Sequence, residues 1–427
     1  MTVTRSVYSL LTWAAQPLLL RKLRRRAQQE PGYAEAVPER FGRYEPANLG
    51  QDGRGKWVWV HAVSLGETRA AAILIKALRA RHPRMRLLLT HGTATGRAEG
   101  KKLLQPGDVQ VWQPWDSLGA TRRFVRQFRP AIGVLMETEI WPNLLAACQQ
   151  QGIPVVLANA RLNAKSLAGA QRWRWLSRPA YQSLAAVYAQ TTGDADRLRQ
   201  LGAPVEAVWG NLKFDVQPDM QQLALGQAWR LQNPRPIVLL ASSREGEEAQ
   251  WLAAVQALPA SAAPAVQWLI VPRHPQRFAE VEALCTAAGL RVSRRSQWQP
   301  GAPVPAADVW LGDSMGEMQL YYALSHLALL GGSFAPLGGQ NLIEAAACGC
   351  PMLVGPHTFN FAEAAEQAIA AGAAARLPDM AQAVAHAQAL APDSEQLHAM
   401  AEASLQFASH HRGASDATAQ AVLQRLR

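Results

Sequence analysis

Short apolar runs alternate with polar turns and segments of helical length along most of the chain. The runs are rich in Val, Leu and Ile, and a polar or glycine-containing turn follows each of them. Repeated alternation of this kind predicts parallel sheets with helices on both faces. The predicted strands cover residues 57–60, 86–90, 110–112, 131–136, 154–158, 187–189 and 205–209, and after a break 237–241, 267–271, 309–311, 327–330 and 352–354.

The break between the two series of strands predicts a domain boundary. It carries Pro218, Pro234 and Pro236, and the 427 residues of the chain are too many for one compact core. We therefore expect an α/β protein with two doubly wound, Rossmann-like domains facing each other across a cleft. Ligands of such sheets bind beyond the carboxyl ends of the strands. The predicted divisions are a segment 1–28, a domain 29–216 and a domain 217–427, whose last helices are expected to pack back on the first domain.

The segment 1–28 predicts a membrane anchor. Residues 7–20 are mostly apolar and are followed at once by the basic residues Arg21, Lys22, Arg24, Arg25 and Arg26. A spanning helix needs about 20 apolar residues, and this stretch is shorter and contains Gln16 and Pro17. It therefore either spans the membrane as a short segment or lies in the membrane interface as an anchor. An amphipathic helix packed on its own domain is the alternative. Positive charge after the apolar stretch predicts that the remaining chain stays on the cytoplasmic side.

The overall composition narrows the class of protein only partly. Hydrophobic residues make up 49% and charged residues 18%, which suits two sizeable cores rather than a disordered chain. The net charge of +11 is compatible with nucleic acid, an anionic membrane surface or an anionic substrate. Basic and aromatic residues interleave only at Arg172, Trp173, Arg174 and Trp175. A nucleic-acid-binding protein is thus an alternative from a different class, although no extended array supports it.

Carboxylates follow two strands of the first predicted domain. Glu67 in HAVSLGETRAA (61–71) begins a helix, where it either suits the positive helix end or acts as a general base kept ionised by the helix dipole. METEIWPN (136–143) carries Glu137 and Glu139, which we expect to face opposite sides if the strand continues. Solvated or capping glutamates are the alternative there. Lys213 in GNLKFD (210–215) is a candidate cation at the domain junction.

Three segments of the second predicted domain suit a nucleotide. Arg273 in VPRHPQRF (271–278) follows a strand and can pair with a phosphate. GDSMGEMQLYY (312–322) predicts a helix with Gly316 and Glu317 in its first turn. In GGSFAPLGGQNLIEAAACGCPMLVGP (331–356), Asn341 and Glu344 lie one helical turn apart, where the carboxylate can accept both ribose hydroxyls. Helix dipoles and basic side chains can stabilise a leaving phosphate in a domain pair of this type, so we expect neither a metal ion nor another cofactor.

Together these motifs resemble the family of 3-deoxy-D-manno-octulosonic acid (Kdo) transferases of lipopolysaccharide synthesis. The resemblance rests on the anchor-like segment and on HAVSLGET, METEIWPN, ANARL (158–162), GNLKFD, VPRHPQRF, GDSMGEM, GGxN with EAAA, and GPHTFNF (355–361), in this order over nearly the whole chain. It implies a glycosyltransferase B fold and inverting, metal-free transfer of Kdo from CMP-Kdo onto a tetra-acylated lipid A precursor. It also implies a location at the cytoplasmic face of a bacterial inner membrane, against an anionic surface, with no nucleic acid as partner.

The resemblance also implies roles for individual residues. Glu67 matches the proton acceptor of the family, and Glu137 and Lys213 match residues that stabilise the transition state. The positions that match CMP-binding segments are Pro272, Arg273, Met315, Gly316, Glu317, Asn341, Leu342, Ile343 and Glu344. Gln340 and Leu342 replace a histidine and a proline of the family pattern. A different enzyme of the same fold, using a UDP-sugar on another lipid, is the nearest alternative.

Overall fold

The computed structural model describes residues 3–45, 57–215, 218–259, 266–299, 302–410 and 412–426. The chain divides into two compact units. The first unit combines Met1–Asp215 with His411–Arg427, and the second unit is Val216–His410. Residues 216 and 217, on either side of the predicted boundary, lie outside the described residues.

The first unit contains a parallel sheet of seven strands among its described residues. The strands are β1 (Trp57–His61), β2 (Arg86–His91), β3 (Val109–Trp112), β4 (Ile132–Met136), β5 (Val155–Ala160), β6 (Ala186–Ala189) and β7 (Val205–Val208). Their order is β3-β2-β1-β4-β5-β6-β7, so the winding direction changes between β1 and β4. Such a change of direction is the place where doubly wound sheets bind ligands.

Helices cover both faces of this sheet. They are α1 (Val3–Ala14), α2 (Gln16–Ala27), α3 (Leu65–Arg81), α4 (Ala94–Lys101), α5 (Leu118–Phe128), α6 (Pro142–Gln150), α7 (Ala164–Arg172), α8 (Arg174–Gln182) and α9 (Thr192–Gln200). Because successive strand residues point to opposite faces, the buried strands feed two hydrophobic cores. Trp59 belongs to the core on one face, and Val58 and Val60 belong to the core on the other.

The second unit repeats the design with another parallel sheet of seven strands in its described residues. The strands are β8 (Ile237–Ser243), β9 (Gln267–Pro272), β10 (Val292–Arg294), β11 (Val309–Leu311), β12 (Leu327–Leu330), β13 (Met352–Val354) and β14 (Ala374–Arg376). The order β10-β11-β9-β8-β12-β13-β14 changes direction between β8 and β12. The helices are α10 (Met220–Gln232), α11 (Glu247–Gln256), α12 (Phe278–Ala287), α13 (Met318–Leu324), α14 (Leu342–Ala347), α15 (Ala362–Ala370), α16 (Met380–Leu390) and α17 (Ser394–His410).

The strand pattern of the sequence is confirmed for twelve of these strands, whose ends lie within two residues of the prediction. The apolar pattern of the sequence did not predict β10 and β14, which are the two edge strands of the second sheet. Both have only three residues and end in arginine, so they lack the continuous apolar run that marks a buried parallel strand.

The predicted anchor segment forms two consecutive helices, α1 and α2, that meet at Ala15. Pro17 lies in the first turn of α2, where it has no backbone N–H to donate to the preceding turn. None of the helices in the described ranges has both the length and the apolar character needed to cross a membrane.

The last helix, α18 (Ala414–Gln424), belongs to the first unit, although more than two hundred residues separate it from β7. It packs against α3 through Ala414, Ala419 and Val422, which join the core that contains Leu74. Asp215 accepts hydrogen bonds from the backbone N–H groups of two residues at the start of α18, Gly413 and Ser415.

Candidate functional site

Glu67 lies in the first turn of α3, directly after the carboxyl end of β1. Ser64 caps this helix, and its hydroxyl donates to Glu67 Oε1 over 3.0 Å. Glu67 Oε2 accepts the backbone N–H of Val63 over 2.8 Å. The two residues thus form a variant of the capping box, in which the glutamate accepts the N–H of the residue before the N-cap. Each carboxylate oxygen keeps a lone pair for a further partner.

The electrostatic surroundings of Glu67 combine opposing effects. Burial raises the pKa of Glu67 above its usual value, and the nearby Glu137 raises it further. The hydrogen bonds from Val63 and Ser64 and the Lys213 ammonium oppose this shift. A carboxylate with a raised pKa is a stronger base once ionised, which suits proton abstraction.

Glu137 and Glu139 follow β4, the strand next to β1 in the sheet. Strand alternation does not separate them, because residues two apart on a strand share a face. In addition β4 ends at Met136, and Glu137 has a left-handed backbone with φ of 57°. A non-glycine residue in this region is strained, and such strain is common at functional sites. Arg161 Nε lies 3.9 Å from the Glu137 carboxylate.

Glu139 forms a third carboxylate of the same cluster. Burial raises its pKa to about 7, and the negative charges of Glu67 and Glu137 contribute to the shift. The structure thus brings Glu67 and Glu137 together, as the resemblance implies, and adds Glu139. Two glutamates two positions apart were visible in the sequence, but the left-handed turn at Glu137 was not.

Lys213 joins this cluster from a short 3-10 helix, Leu212–Phe214. Its ammonium group lies close enough to Glu67 to lower the pKa of that carboxyl. Asn159, near the end of β5, has φ of 53° and its side-chain oxygen accepts the N–H of Leu212 over 3.0 Å. Asn159 is therefore a supporting residue that the sequence analysis did not identify.

In the second unit, Arg273 and Glu344 lie near each other at the carboxyl end of the sheet. Burial raises the pKa of Glu344, whereas Gln319 and the Arg273 guanidinium lower it. Asn341 caps α14 by accepting the N–H of Ile343 over 3.2 Å, and Leu342 and Ile343 are buried. Pro272 is the last residue of β9, and Arg273 directly after it is exposed. Pro272 and Arg273 thus lie together at the end of β9, and Asn341 and Glu344 lie together at the start of α14.

The GDSMGEM segment differs from its prediction. The helix α13 starts only at Met318, so Gly316 and Glu317 precede it rather than forming its first turn. Gly316 has φ of 81°, a conformation that favours glycine, and 67% of Met315 is exposed. Arg295 Nη2 donates to Glu317 Oε1 over 2.8 Å. Glu317 is therefore already paired with a cation, which the sequence did not indicate.

A buried carboxylate organises the loop that follows β12. Glu247 has no exposed surface, and its two oxygens accept backbone N–H groups at 2.7–3.2 Å. The four donors are Arg244, Gly332, Phe334 and Ala335. Glu247 thus joins the loops after β8 and β12, the two strands between which the winding changes direction. The sequence showed only a polar helix start here.

Two parallel-sheet units with ionisable clusters beyond the strand ends define a two-domain α/β enzyme. A glycosyltransferase from Rickettsia africae has a similar fold, with a TM-score of 0.54, 11% identity and coverage of 88% of this chain and 100% of that one. The UDP-GlcNAc 2-epimerase of Neisseria meningitidis has a TM-score of 0.55, with 18% identity over 86% of this chain and 100% of that one. At this level of identity the likeness concerns the fold alone.

Sequence relatives identify the family. The family model described as 3-Deoxy-D-manno-octulosonic-acid transferase (kdotransferase) matches residues 35–216. A 3-deoxy-D-manno-octulosonic acid transferase of Bordetella pertussis is 48% identical, with 98% of both chains covered. One of Haemophilus influenzae is 33% identical over 84% of each chain. The chain belongs to the Kdo transferase family, and it is a Kdo glycosyltransferase. Membership in this family makes the chain an enzyme, which the nucleic-acid-binding alternative did not predict.

Proposed function

We propose that this chain transfers Kdo from CMP-Kdo onto a tetra-acylated lipid A precursor during lipopolysaccharide synthesis. Family membership supplies the transferred sugar. The observation that supports the chemistry is the approach of Glu67, Glu137 and Lys213 at the point where the first sheet changes winding direction. A base, a second carboxylate and a cation in one partly buried place suit activation of a hydroxyl acceptor.

The proposed reaction is a single inverting displacement. Glu67 takes the proton of the acceptor hydroxyl, and the oxygen attacks the anomeric carbon of Kdo while the bond to the CMP phosphate breaks. The bonding electron pair leaves with CMP. Glu137 and Lys213 stabilise the charges that develop in the transition state. Glu67 can accept the proton while its capping hydrogen bonds persist, because each of its oxygens has a second lone pair.

We assign donor binding to the second unit. Arg273 is exposed beyond β9 and suits the CMP phosphate, and Glu344 suits the two ribose hydroxyls. Asn341 supports donor binding by capping α14, and Glu317 does so while it is paired with Arg295. The leaving group carries one phosphate and thus less charge than a diphosphate. We therefore propose that transfer needs no metal ion.

We further propose that the enzyme lies on the cytoplasmic face of the bacterial inner membrane. The side of α1 that points away from the first unit is apolar: Val7, Leu10, Leu11 and Trp13 are 49–65% exposed. The basic residues at the end of α2, from Arg21 to Arg26, are all exposed. Only Leu23, which lies between them, is buried. An apolar helix face next to basic side chains is typical of an interfacial helix on anionic lipid.

An exposed aromatic pair lies close to α1. Trp173 and Trp175 are 55% and 42% exposed, and their rings meet edge to face with centroids 5.6 Å apart. Trp175 also lines a groove of about 200 Å³ between α1 and α8, together with Arg5. Aromatic residues of this kind favour the membrane interface. They extend the proposed lipid-facing surface from α1 to α8.

The decisive experiment is mass spectrometry of the lipid product after incubation with CMP-Kdo and the tetra-acylated precursor. A mass increase of one or more Kdo units together with release of CMP is expected. No turnover of CMP-Kdo, with UDP released from a UDP-sugar instead, would contradict the proposed donor. Kdo transfer to a different lipid, but not to the precursor, would contradict only the acceptor.

A further inference from the structure

The helix α1 is held on the first unit by its polar side. The Tyr8 hydroxyl donates to Asp116 Oδ2 over 2.9 Å. The hydroxyl of Ser9, which is 9% exposed, shares its proton between Asn143 Oδ1 at 2.9 Å and the Arg5 carbonyl at 2.7 Å. This arrangement reverses that of an ordinary surface helix, which buries its apolar side.

Asp116 is the centre of this contact. Its side chain is buried, and it accepts the backbone N–H groups of Asn143 over 3.0 Å and Leu144 over 2.8 Å in addition to the Tyr8 hydroxyl. The side-chain amide of Asn143 donates to the Asp116 carbonyl over 2.8 Å. Asp116 therefore caps the start of α6, and Tyr8 and Ser9 attach α1 to the same place.

The start of α6 is also one end of the segment that carries two of the clustered carboxylates. The segment 137–141 begins where β4 ends and stops at Trp141, directly before α6. Its first end is fixed by the sheet, where Glu137 donates its N–H to the Ala158 carbonyl over 3.0 Å. Its second end depends on α6. The place of Glu139 next to Glu67 thus requires that α6 starts at one defined position.

We propose that α1 is a positioning element for the segment 137–141, and that Tyr8 acts through Asp116 to hold the start of α6 in place. The inference rests on the proposed role of the Glu67 and Glu137 cluster in transfer. Its consequence is that the helix proposed to face the lipid also controls the geometry of the carboxylates. Seating of α1 on a membrane would then influence the rate of transfer as well as the amount of bound enzyme.

The test compares Tyr8→Phe with the matched variant Thr12→Val in the full-length chain. Thr12 lies one turn further along α1 and donates only to the Ser9 carbonyl, over 3.1 Å, so its replacement leaves Asp116 untouched. Three quantities are measured: amide hydrogen exchange of residues 137–150, kcat and KM of Kdo transfer in detergent micelles, and binding to vesicles that contain anionic lipid.

We expect Tyr8→Phe to raise exchange at Asn143 and Leu144 up to about tenfold, the effect of one buried hydrogen bond. We expect kcat to fall severalfold, while the acceptor KM and vesicle binding stay as in Thr12→Val. If exchange and kcat both match those of Thr12→Val, or if exchange rises without a change in kcat, the positioning role is wrong. A loss confined to vesicle binding would also overturn it.

A second variant, Ser9→Ala, keeps the proposal testable if Tyr8→Phe does not fold. Ser9→Ala removes one contact to Asn143 but leaves Asp116 with all its partners, so a smaller change in the same direction is expected. An effect of Ser9→Ala on vesicle binding alone would contradict the proposal. Failure of the proposed function would look different, because Glu67→Gln would then keep full turnover while Tyr8→Phe still changed the exchange.

Discussion

The hydroxyl of Ser64 donates to the carboxylate of Glu67 over 3.0 Å, while Glu67 donates its backbone N–H to Ser64 Oγ over 3.4 Å. The proposed general base therefore also takes part in the capping of its own helix by Ser64. Structural and chemical roles coincide in one side chain, and substitutions must separate them.

The substitution Glu67→Gln is expected to lower turnover at least about a hundredfold, the low end for loss of a general base. Glutamine keeps the size of the side chain and one acceptor oxygen, but it does not take up a proton. The affinity for CMP should stay unchanged, because the proposed donor residues belong to the second unit. Steady-state kinetics and a calorimetric titration with CMP measure the two effects, and turnover near that of the wild type would exclude Glu67 as the base.

Ser64→Ala is the matched test of the capping role. It should lower the free energy of unfolding by about 1 kcal/mol through loss of the N-cap. We expect a much smaller loss of turnover than for Glu67→Gln, since the carboxylate itself remains. Equal losses of turnover in the two variants, measured at a temperature where both are folded, would mean that Glu67 acts only by capping.

Glu139 predicts a defined dependence of stability on pH. Its pKa rises from 4.5 to about 7 on folding, so the folded state binds more protons than the unfolded state within this window. The contribution of Glu139 to stability therefore falls as pH rises from about 4.5 to about 7. Glu139→Gln lacks this effect. Its free energy of unfolding should therefore rise relative to that of the wild type by at most about 3 kcal/mol between pH 4.5 and pH 8. Urea unfolding of the variant and the wild type at both pH values checks this prediction. The same difference in free energy of unfolding at both pH values would refute it.

Glu344→Ala is expected to weaken CMP binding about ten- to a hundredfold, the usual effect of losing hydrogen bonds to a charged group. The exposed Glu395, replaced by alanine, is the control for a change of charge in the same unit. Titration calorimetry with CMP measures both variants. An unchanged affinity in Glu344→Ala would contradict the assignment of this carboxylate to the ribose.

Glu247→Ala should destabilise the protein by at least about 3 kcal/mol, because four backbone N–H groups lose their buried acceptor. The neighbouring Glu245 is 59% exposed and pairs only with Arg244 in the contacts of the described residues. Its replacement by alanine should therefore change the free energy of unfolding by less than about 0.5 kcal/mol. Similar destabilisation of the two variants would show that Glu247 does not hold the loop after β12.

The sequence predicted the buried strands well because a parallel strand covered on both faces is apolar throughout. It also predicted that polar residues directly after the strands, such as Glu67 and Arg273, lie at the functional edge of each sheet. These features depend on a few neighbouring residues, and the pattern of the chain displays them directly.

The contacts that complete the site could not be predicted in the same way. The left-handed turn at Glu137 changes the direction of Glu139, yet glutamate has no special preference for this conformation. Tyr8 meets Asp116, and Glu247 meets Gly332, at separations of 108 and 85 positions along the chain. Such pairs depend on the assembled fold, and a single sequence without relatives shows no trace of them.

The attachment of α18 to Asp215 and α3 affects the order in which the protein can mature. A ribosome must complete every residue of the second unit before it reaches the helix that covers α3 in the first. Until then the apolar surface around Leu74 stays partly open to the solvent, and the helix that carries Glu67 lacks its lateral support. The nascent chain therefore cannot complete its first unit before its second unit has been synthesised.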